Sequence, residues 1–278
     1  MEAIEFKVLI LSLYSGENEI SACKRSVEQQ SHPNVEHMII ADLPNKEAHD
    51  FLYAEIMKRS TQFDIFIKLD ADMVLEDPDF VTDVVGFFIK DRNLDMLSFT
   101  VFDGLTHSRI WGINTFSNRC SWNLTSDKIF VDHKPLFLGH KNRIVDSKNM
   151  VSHCSAPSPY QAFMFGFHRA LKVKQKDRVF PLLGHSLGHM RTIGKLKKAY
   201  KVTGSESSLF ALHGVYAGLL ESDSVIFDKN KLYEFYKEKK IPDKDILKKI
   251  NIFLILKSIG LCRVVSTMPY YFVRRLLK

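Results

Sequence analysis

The sequence lacks paired cysteines. Its four, Cys23, Cys120, Cys154 and Cys262, lie far apart and form no C-x-x-C. That argues against a zinc ribbon, an iron–sulfur centre or a disulfide scaffold, and buried free thiols in a reducing compartment become the plain reading. No uncharged apolar run of about 18 residues occurs, so no spanning helix is expected. There is no G-x-S-x-G and no P-loop, so serine-hydrolase and P-loop-kinase readings find no support. No RNA-stacking motif or DNA-recognition helix is present, and no nucleic-acid partner is expected. The start, MEAIEF, carries two acids and no cleavage site follows. The expected location is therefore the cytoplasm, and the sequon Asn123-Leu124-Thr125 reads as a plain tripeptide.

What is present is ordinary globular composition. The 278 residues are 45% hydrophobic and 26% charged, enough for one large domain or a domain with an appendage. The net charge of +7 is uneven. Lys229 to Lys278 holds 13 basic and 4 acidic residues, a net of +9, and the body before it is close to neutral. We therefore expect a main domain over 1–228 and a basic helical tail over 229–278. The excess points the tail toward an anionic surface.

The first 72 residues alternate strand and helix patterns. Phe6 to Leu13 is an apolar run that reads as a buried parallel strand. Glu17 to Gln30 has helical spacing, Val35 to Ala41 is a second strand, Asn45 to Thr61 a second helix, and Phe63 to Leu69 a third strand. This β-α-β-α-β order predicts an α/β fold with a mostly parallel sheet flanked by helices. A helix over Pro78 to Lys90 and a strand over Leu94 to Phe102 follow. Asp103 to Ser152 reads as less regular, with short antiparallel strands near Val131 and Lys148 to Val151. Ser158-Pro159 is an N-cap signal for a helix over Tyr160 to Lys174. Further helices are expected over Ser186 to Tyr200, Ser205 to Leu220, Ile246 to Ile259 and Val264 to Leu277.

Ligands of open α/β sheets bind beyond the carboxyl ends of the strands. Two such ends here carry acids: Asp42, and the pair Asp70 and Asp72 in Asp70-Ala71-Asp72. Two carboxylates one residue apart can share a hard cation such as Mg²⁺ or Mn²⁺ with phosphate oxygens. The alternative is a solvated pair of acids at a strand end.

The segment Phe6 to Pro78 resembles the family 2 glycosyltransferases of the GT-A fold. Four stretches carry the resemblance: Leu11 to Ser15, Ser26 to Gln30, Met38 to Asp42, and Ile67 to Leu75 around the D-x-D. The resemblance implies a glycosyltransferase that moves a sugar from a nucleoside diphosphate sugar to a glycan or lipid-linked acceptor, as in surface polysaccharide or lipopolysaccharide synthesis. It implies that Tyr14 and Ser15 line the nucleoside, that Asp42 reads the base, and that Asp70 and Asp72 hold Mn²⁺ or Mg²⁺ against the diphosphate, with Asp70 also on the donor. The chain departs from the family at Leu43-Pro44, where the family follows its strand-end acid with an acid or glycine and a serine. It also has no late Glu-Asp pair, so the motif assigns no general base.

Among eleven histidines, His153 stands out. It lies about 80 residues beyond the D-x-D, where related folds place a late metal ligand or a base. His153 is thus a candidate metal ligand and a candidate catalytic residue, against the alternative of a loop histidine with no role. Asp103 and Asp146 are further candidate bases. Arg169 could meet a diphosphate or stand solvated beside His168. His185 and His189 have the i, i+4 spacing of a helical metal pair, weakened by nearby glycines. His213 reads as a satisfied helix residue.

Ile246 to Lys278 interleaves Lys248, Lys249, Lys257, Arg263, Arg274 and Arg275 with Leu, Val, Phe and Tyr. That reads as a segment lying on an anionic membrane, which would hold the protein peripherally on the inner membrane face. The alternative is a helix pair packed on the body. Two rivals to the transferase remain: a nucleotidyltransferase of similar fold, and a non-catalytic membrane-surface binding protein.

Overall fold

A computed structural model of the chain describes residues 5–123, 134–145, 151–174, 182–220, 233–234, 243–260 and 265. It is an α/β structure, and among these residues it divides into two units. The first takes the described residues of Met1–Gly104, Ser108–Ser126 and Asp132–Pro157, and the second those of Leu105–His107, Asp127–Val131 and Ser158–Lys278. The boundary expected at residue 228 lies outside the described residues.

The first unit is built on an eight-stranded sheet. Its strands are β1 (Val8–Tyr14), β2 (Val35–Ala41), β3 (Ile65–Lys68), β4 (Met73–Leu75), β5 (Leu94–Asp103), β6 (Ser108–Ser117), β7 (His140–Ile144) and β8 (Val151–His153). They run in the order β2-β1-β3-β6-β5-β8-β4, with β7 paired to β5 off that path. Val8 to Leu11 are at most 1% exposed, as a doubly covered parallel strand requires. β1 pairs in parallel with β2 and with β3. The crossovers are α1 (Ile20–Glu28) and α2 (Asn45–Lys58). The expected β-α-β-α-β start is therefore present, with β2 at its expected bounds.

Beyond β3 the sheet is mixed. β3–β6, β5–β6 and β4–β8 are antiparallel, and β5 takes β7 and β8 in parallel. The stretch read as irregular thus contains β6, β7 and β8. Val131 and 148–150, placed near short strands by the sequence, lie outside the described residues, and Val151 begins β8.

The core under β1 and β3 gathers Leu9, Leu11, Leu52, Ile56, Phe66 and Phe116 around Trp122. Trp122 stacks on Tyr53 at 4.9 Å and meets Phe116 edge-on at 5.0 Å. Burying each such side chain is worth about 1.5–3 kcal/mol. The buried Asp95 ties the far side of the sheet. It accepts from Ser117 Oγ and the Gly139 amide, each at 2.7 Å, and pairs with Arg119. α3 (Phe80–Lys90) covers the sheet with Phe80, Val81, Val84, Val85 and Phe88.

The second unit is helical in its described residues: α4 (Pro159–Lys174), α5 (Leu182–Thr203), α6 (Glu206–Leu220), α7 (Asp243–Lys249) and α8 (Ile252–Ile259). Ser158 caps α4 as its sequence signals, its Oγ accepting from the Gln161 amide at 3.1 Å. The single helix expected over Ile246 to Ile259 is two. The chain breaks before Asn251, whose side chain caps α8 by accepting from the Leu254 amide at 2.9 Å. The helix expected over Val264 to Leu277 lies outside the described residues, apart from Val265. Among the described residues, no helix is long and apolar enough to cross a membrane.

Candidate metal centre

The chain leaves β3 without leaving the sheet. The Leu69 and Ala71 amides still donate to Leu11 and Leu13 carbonyls of β1, at 3.0 and 3.2 Å. Leu69 and Ala71 are therefore buried, and the Asp70 side chain between them is 40% exposed. The Met73 amide then turns back onto the Asp70 carbonyl at 2.9 Å, and β4 begins.

Two registers converge at the end of β8. β4 pairs Met73 with His153, so Asp72 faces Cys154, and the Cys154 amide donates to the Asp72 carbonyl at 2.9 Å. On its other side β8 pairs His153 with Asp103 of β5. The Gly104 amide donates to the His153 carbonyl at 2.9 Å. A Cβ on Gly104 would lie 2.3 Å from the Cys154 carbonyl oxygen, so this approach needs glycine. Cys154 itself has φ +49°, which turns the chain out of β8. The loop beyond is held at Ala156, whose amide donates to Glu19 Oε1 and whose carbonyl accepts from Asn18 Nδ2, each at 3.0 Å.

The side chains follow. His153 Nδ1 lies 2.7 Å from Asp103 Oδ1, and His153 Nε2 lies 3.4 Å from Asp72 Oδ2. The Cys154 thiol donates to Asp72 Oδ2 at 3.1 Å, and its Sγ is 3.7 Å from His153 Nε2. Asp103 and Cys154 are fully buried, His153 nearly so, and the Asp72 side chain is 16% exposed. Burial pushes the Asp72 carboxyl above the usual carboxylate range, an effect that the neighbouring His153 offsets only in part. Burial also pushes the Cys154 thiol well up, and the carboxylates of Asp72 and Asp103 add to that.

Asp72, His153 and Cys154 each offer one donor atom, all within 4.8 Å of one another, and among the described residues they are the one such group. Asp70 is not in it. Its carboxylate is 40% exposed and lies 3.7 Å from Lys68 Nζ. The expected acid pair is thus divided: Asp72 turns to β8, and Asp70 stays beside Lys68.

The other expected residues fall as follows. Tyr14 is half-buried at the end of β1. Ser15 is exposed, and its amide and hydroxyl both bond to Glu17, at 2.6 and 2.7 Å. Asp42 follows β2, exposed and with φ +60°. Because the strand order is β2-β1-β3, these ends lie side by side with Asp70. Arg169 belongs to the second unit, its guanidinium 4.7 Å from the centre of the Phe165 ring. His213 is buried on α6, as a helix residue. Asp146 and the His185 side chain lie outside the described residues. The sequence alone marks Cys154 only as a buried thiol and Asp103 as a free-standing base. The signal for the first was its adjacency to His153.

No family model and no curated protein matches the chain. Among solved structures the chain is similar to A197 from STIV, at 11% identity and a TM-score of 0.32, over 40% of this chain and 64% of that one.

Proposed function

We propose that the protein is a metal-dependent glycosyltransferase of GT-A type. It would move a sugar from a nucleoside diphosphate sugar to a glycan or lipid-linked acceptor in surface polysaccharide or lipopolysaccharide synthesis. The observation that carries this reading is the meeting of Asp72, at the carboxyl side of β3, with His153 at 3.4 Å. The neighbouring strand ends support it, since Tyr14, Ser15, Asp42 and Asp70 stand along the same sheet edge. A divalent cation held there would supply positive charge to the diphosphate leaving group. Asp72 and His153 fit that ion as donors, and Asp103 holds His153 with Nε2 toward it. That assigns His153 to the cation before any role as general base. In this reading Tyr14 would pack on the base of the donor and Asp42 would accept from its edge.

Calorimetry with UDP, GDP and CDP, each with Mn²⁺, tests the donor. One of them should bind at micromolar strength and lose that binding in EDTA. If none binds below millimolar concentration, the transferase reading fails.

We extend the reading to a membrane-bound acceptor. On α8, Phe253 is 79% and Ile252 51% exposed. Lys248, Lys249 and Lys257 stand close by in sequence. Exposed apolar residues beside lysines suit an anionic headgroup layer, where each basic residue adds about 1 kcal/mol. The full chain should co-sediment with phosphatidylserine vesicles more than a truncation ending at Asp245 does, and added salt should weaken it. Equal sedimentation of both would leave the tail as packing only.

A further inference from the structure

We propose that Asp72, His153 and Cys154 form a tetrahedral site for a thiophilic divalent cation of the zinc type, with the fourth position left to water or a substrate oxygen. This deepens the cation part of the reading above but does not depend on sugar transfer.

The spacing of the donors is the first argument. Zinc bonds run about 2.0–2.2 Å to nitrogen and oxygen and about 2.3 Å to sulfur, so tetrahedral donor–donor edges are about 3.4–3.6 Å. The three edges here are 3.4, 3.1 and 3.7 Å. The short one is the thiol–carboxylate hydrogen bond, which a metal would replace.

Donor chemistry is the second. Two carboxylates would suit Mg²⁺ or Mn²⁺, but the group that converges here is one carboxylate, one imidazole and one sulfur. A sulfur donor selects zinc-like ions over magnesium. The sulfur is not incidental to the surface, because Cys154 is fully buried.

The shell behind the donors is the third. Asp103, fully buried, lies 2.7 Å from His153 Nδ1. That contact fixes the tautomer with the proton on Nδ1 and presents the Nε2 lone pair to the group. A carboxylate behind a ligating histidine is the usual support of a zinc ligand. Finally, Asp72 Oδ1 is buried and has no hydrogen-bond partner among the described residues. Buried carboxylate oxygens rarely stay unpaired. A cation or its bound water would satisfy it, and the ion would offset the charge of the two acids beside it, Asp72 and Asp103.

On binding, the sulfur–metal bond forms as the thiol proton leaves to solvent. Nothing is oxidised or reduced.

Cobalt is the probe. The full chain, stripped with chelator and titrated with Co²⁺, should bind one equivalent. It should show a thiolate-to-cobalt charge-transfer band and the intense visible bands of four-coordinate cobalt. Zn²⁺ should displace it stoichiometrically, and Mg²⁺ should not, even in large excess. Cys154→Ser should lose the charge-transfer band, while Cys23→Ser and Cys120→Ser keep it. Asp103→Asn should weaken binding about 10–100-fold. A wild-type complex without the band, or a band that persists in a natively folded Cys154→Ser, overturns the proposal. Should that variant not fold, zinc K-edge absorption of the wild type decides: one sulfur neighbour supports the site, and none overturns it. A positive cobalt spectrum with no nucleotide binding would keep this site and remove the transferase.

Discussion

On the transferase reading proposed above, replacing Asp72 with Asn should lower nucleotide-sugar turnover by about 10²–10³-fold, the scale of losing one electrostatic stabiliser of a developing anion. It should not unfold the protein. Asp72 is the one carboxylate donor in the group, and an amide in its place keeps the shape but gives the ion a far weaker ligand. The effect on stability has the opposite sign. Burial raises the Asp72 carboxyl above its unfolded value, so its contribution to stability is complete below the ordinary carboxylate range and is lost as pH climbs through the raised value. At neutral pH the metal-free wild type carries that loss and the amide variant does not. In EDTA, Asp72→Asn should therefore melt no lower than wild type at pH 7. Any advantage it has should disappear on acidification below the ordinary carboxylate range. Turnover unchanged in the variant, or unchanged by EDTA in the wild type, would remove Asp72 from the chemistry.

The half of the site on β3 was legible because it sits where a buried apolar run ends, and such runs announce themselves. β1 and β2 were legible for the same reason. β6 was not. Its buried residues Ile110 and Ile113 are three apart, because the pairing with β5 shifts register between Ser98 and Thr100. An irregularity of that kind erases the period of two on which strand reading depends. β7, His140–Ile144, has four exposed residues of five and is defined by backbone pairing to β5, which leaves no hydrophobic pattern to read. The division of the D-x-D has the same origin. Cys154 meets Asp72 across 82 positions, and His153 meets Asp103 across 50. Those meetings depend on the order β5-β8-β4, and nothing local in the sequence encodes it. The basic tail was legible as charge, but the break at Asn251 depends on one side-chain cap.

Gly214→Ala should destabilise the second unit by about 2 kcal/mol or more, the upper part of the range for overpacking. A Cβ at Gly214 of α6 would lie 1.9 Å from the Phe163 carbonyl oxygen and 2.9 Å from the Phe167 amide of α4. The contact is reciprocal. A Cβ at Gly166 of α4 would lie 1.8 Å from the Ala211 carbonyl oxygen and 2.9 Å from the Val215 amide of α6. Both obstacles are backbone, so no rotamer change relieves them, and the helices must separate. Phe163, Phe167, Ala211 and Val215, all at most 1% exposed, would lose contact together. Alanine gains about 1 kcal/mol over glycine in a helix, which is too little to offset this. Gly194 of α5 supplies the contrast, since a Cβ there meets nothing within 4 Å. Gly194→Ala should therefore gain up to about 1 kcal/mol. In calorimetric melts Gly214→Ala should fall by about 4–8 °C and Gly194→Ala should hold or rise. Should Gly214→Ala melt with or above the wild type, the close packing of α4 on α6 is not what holds this unit together.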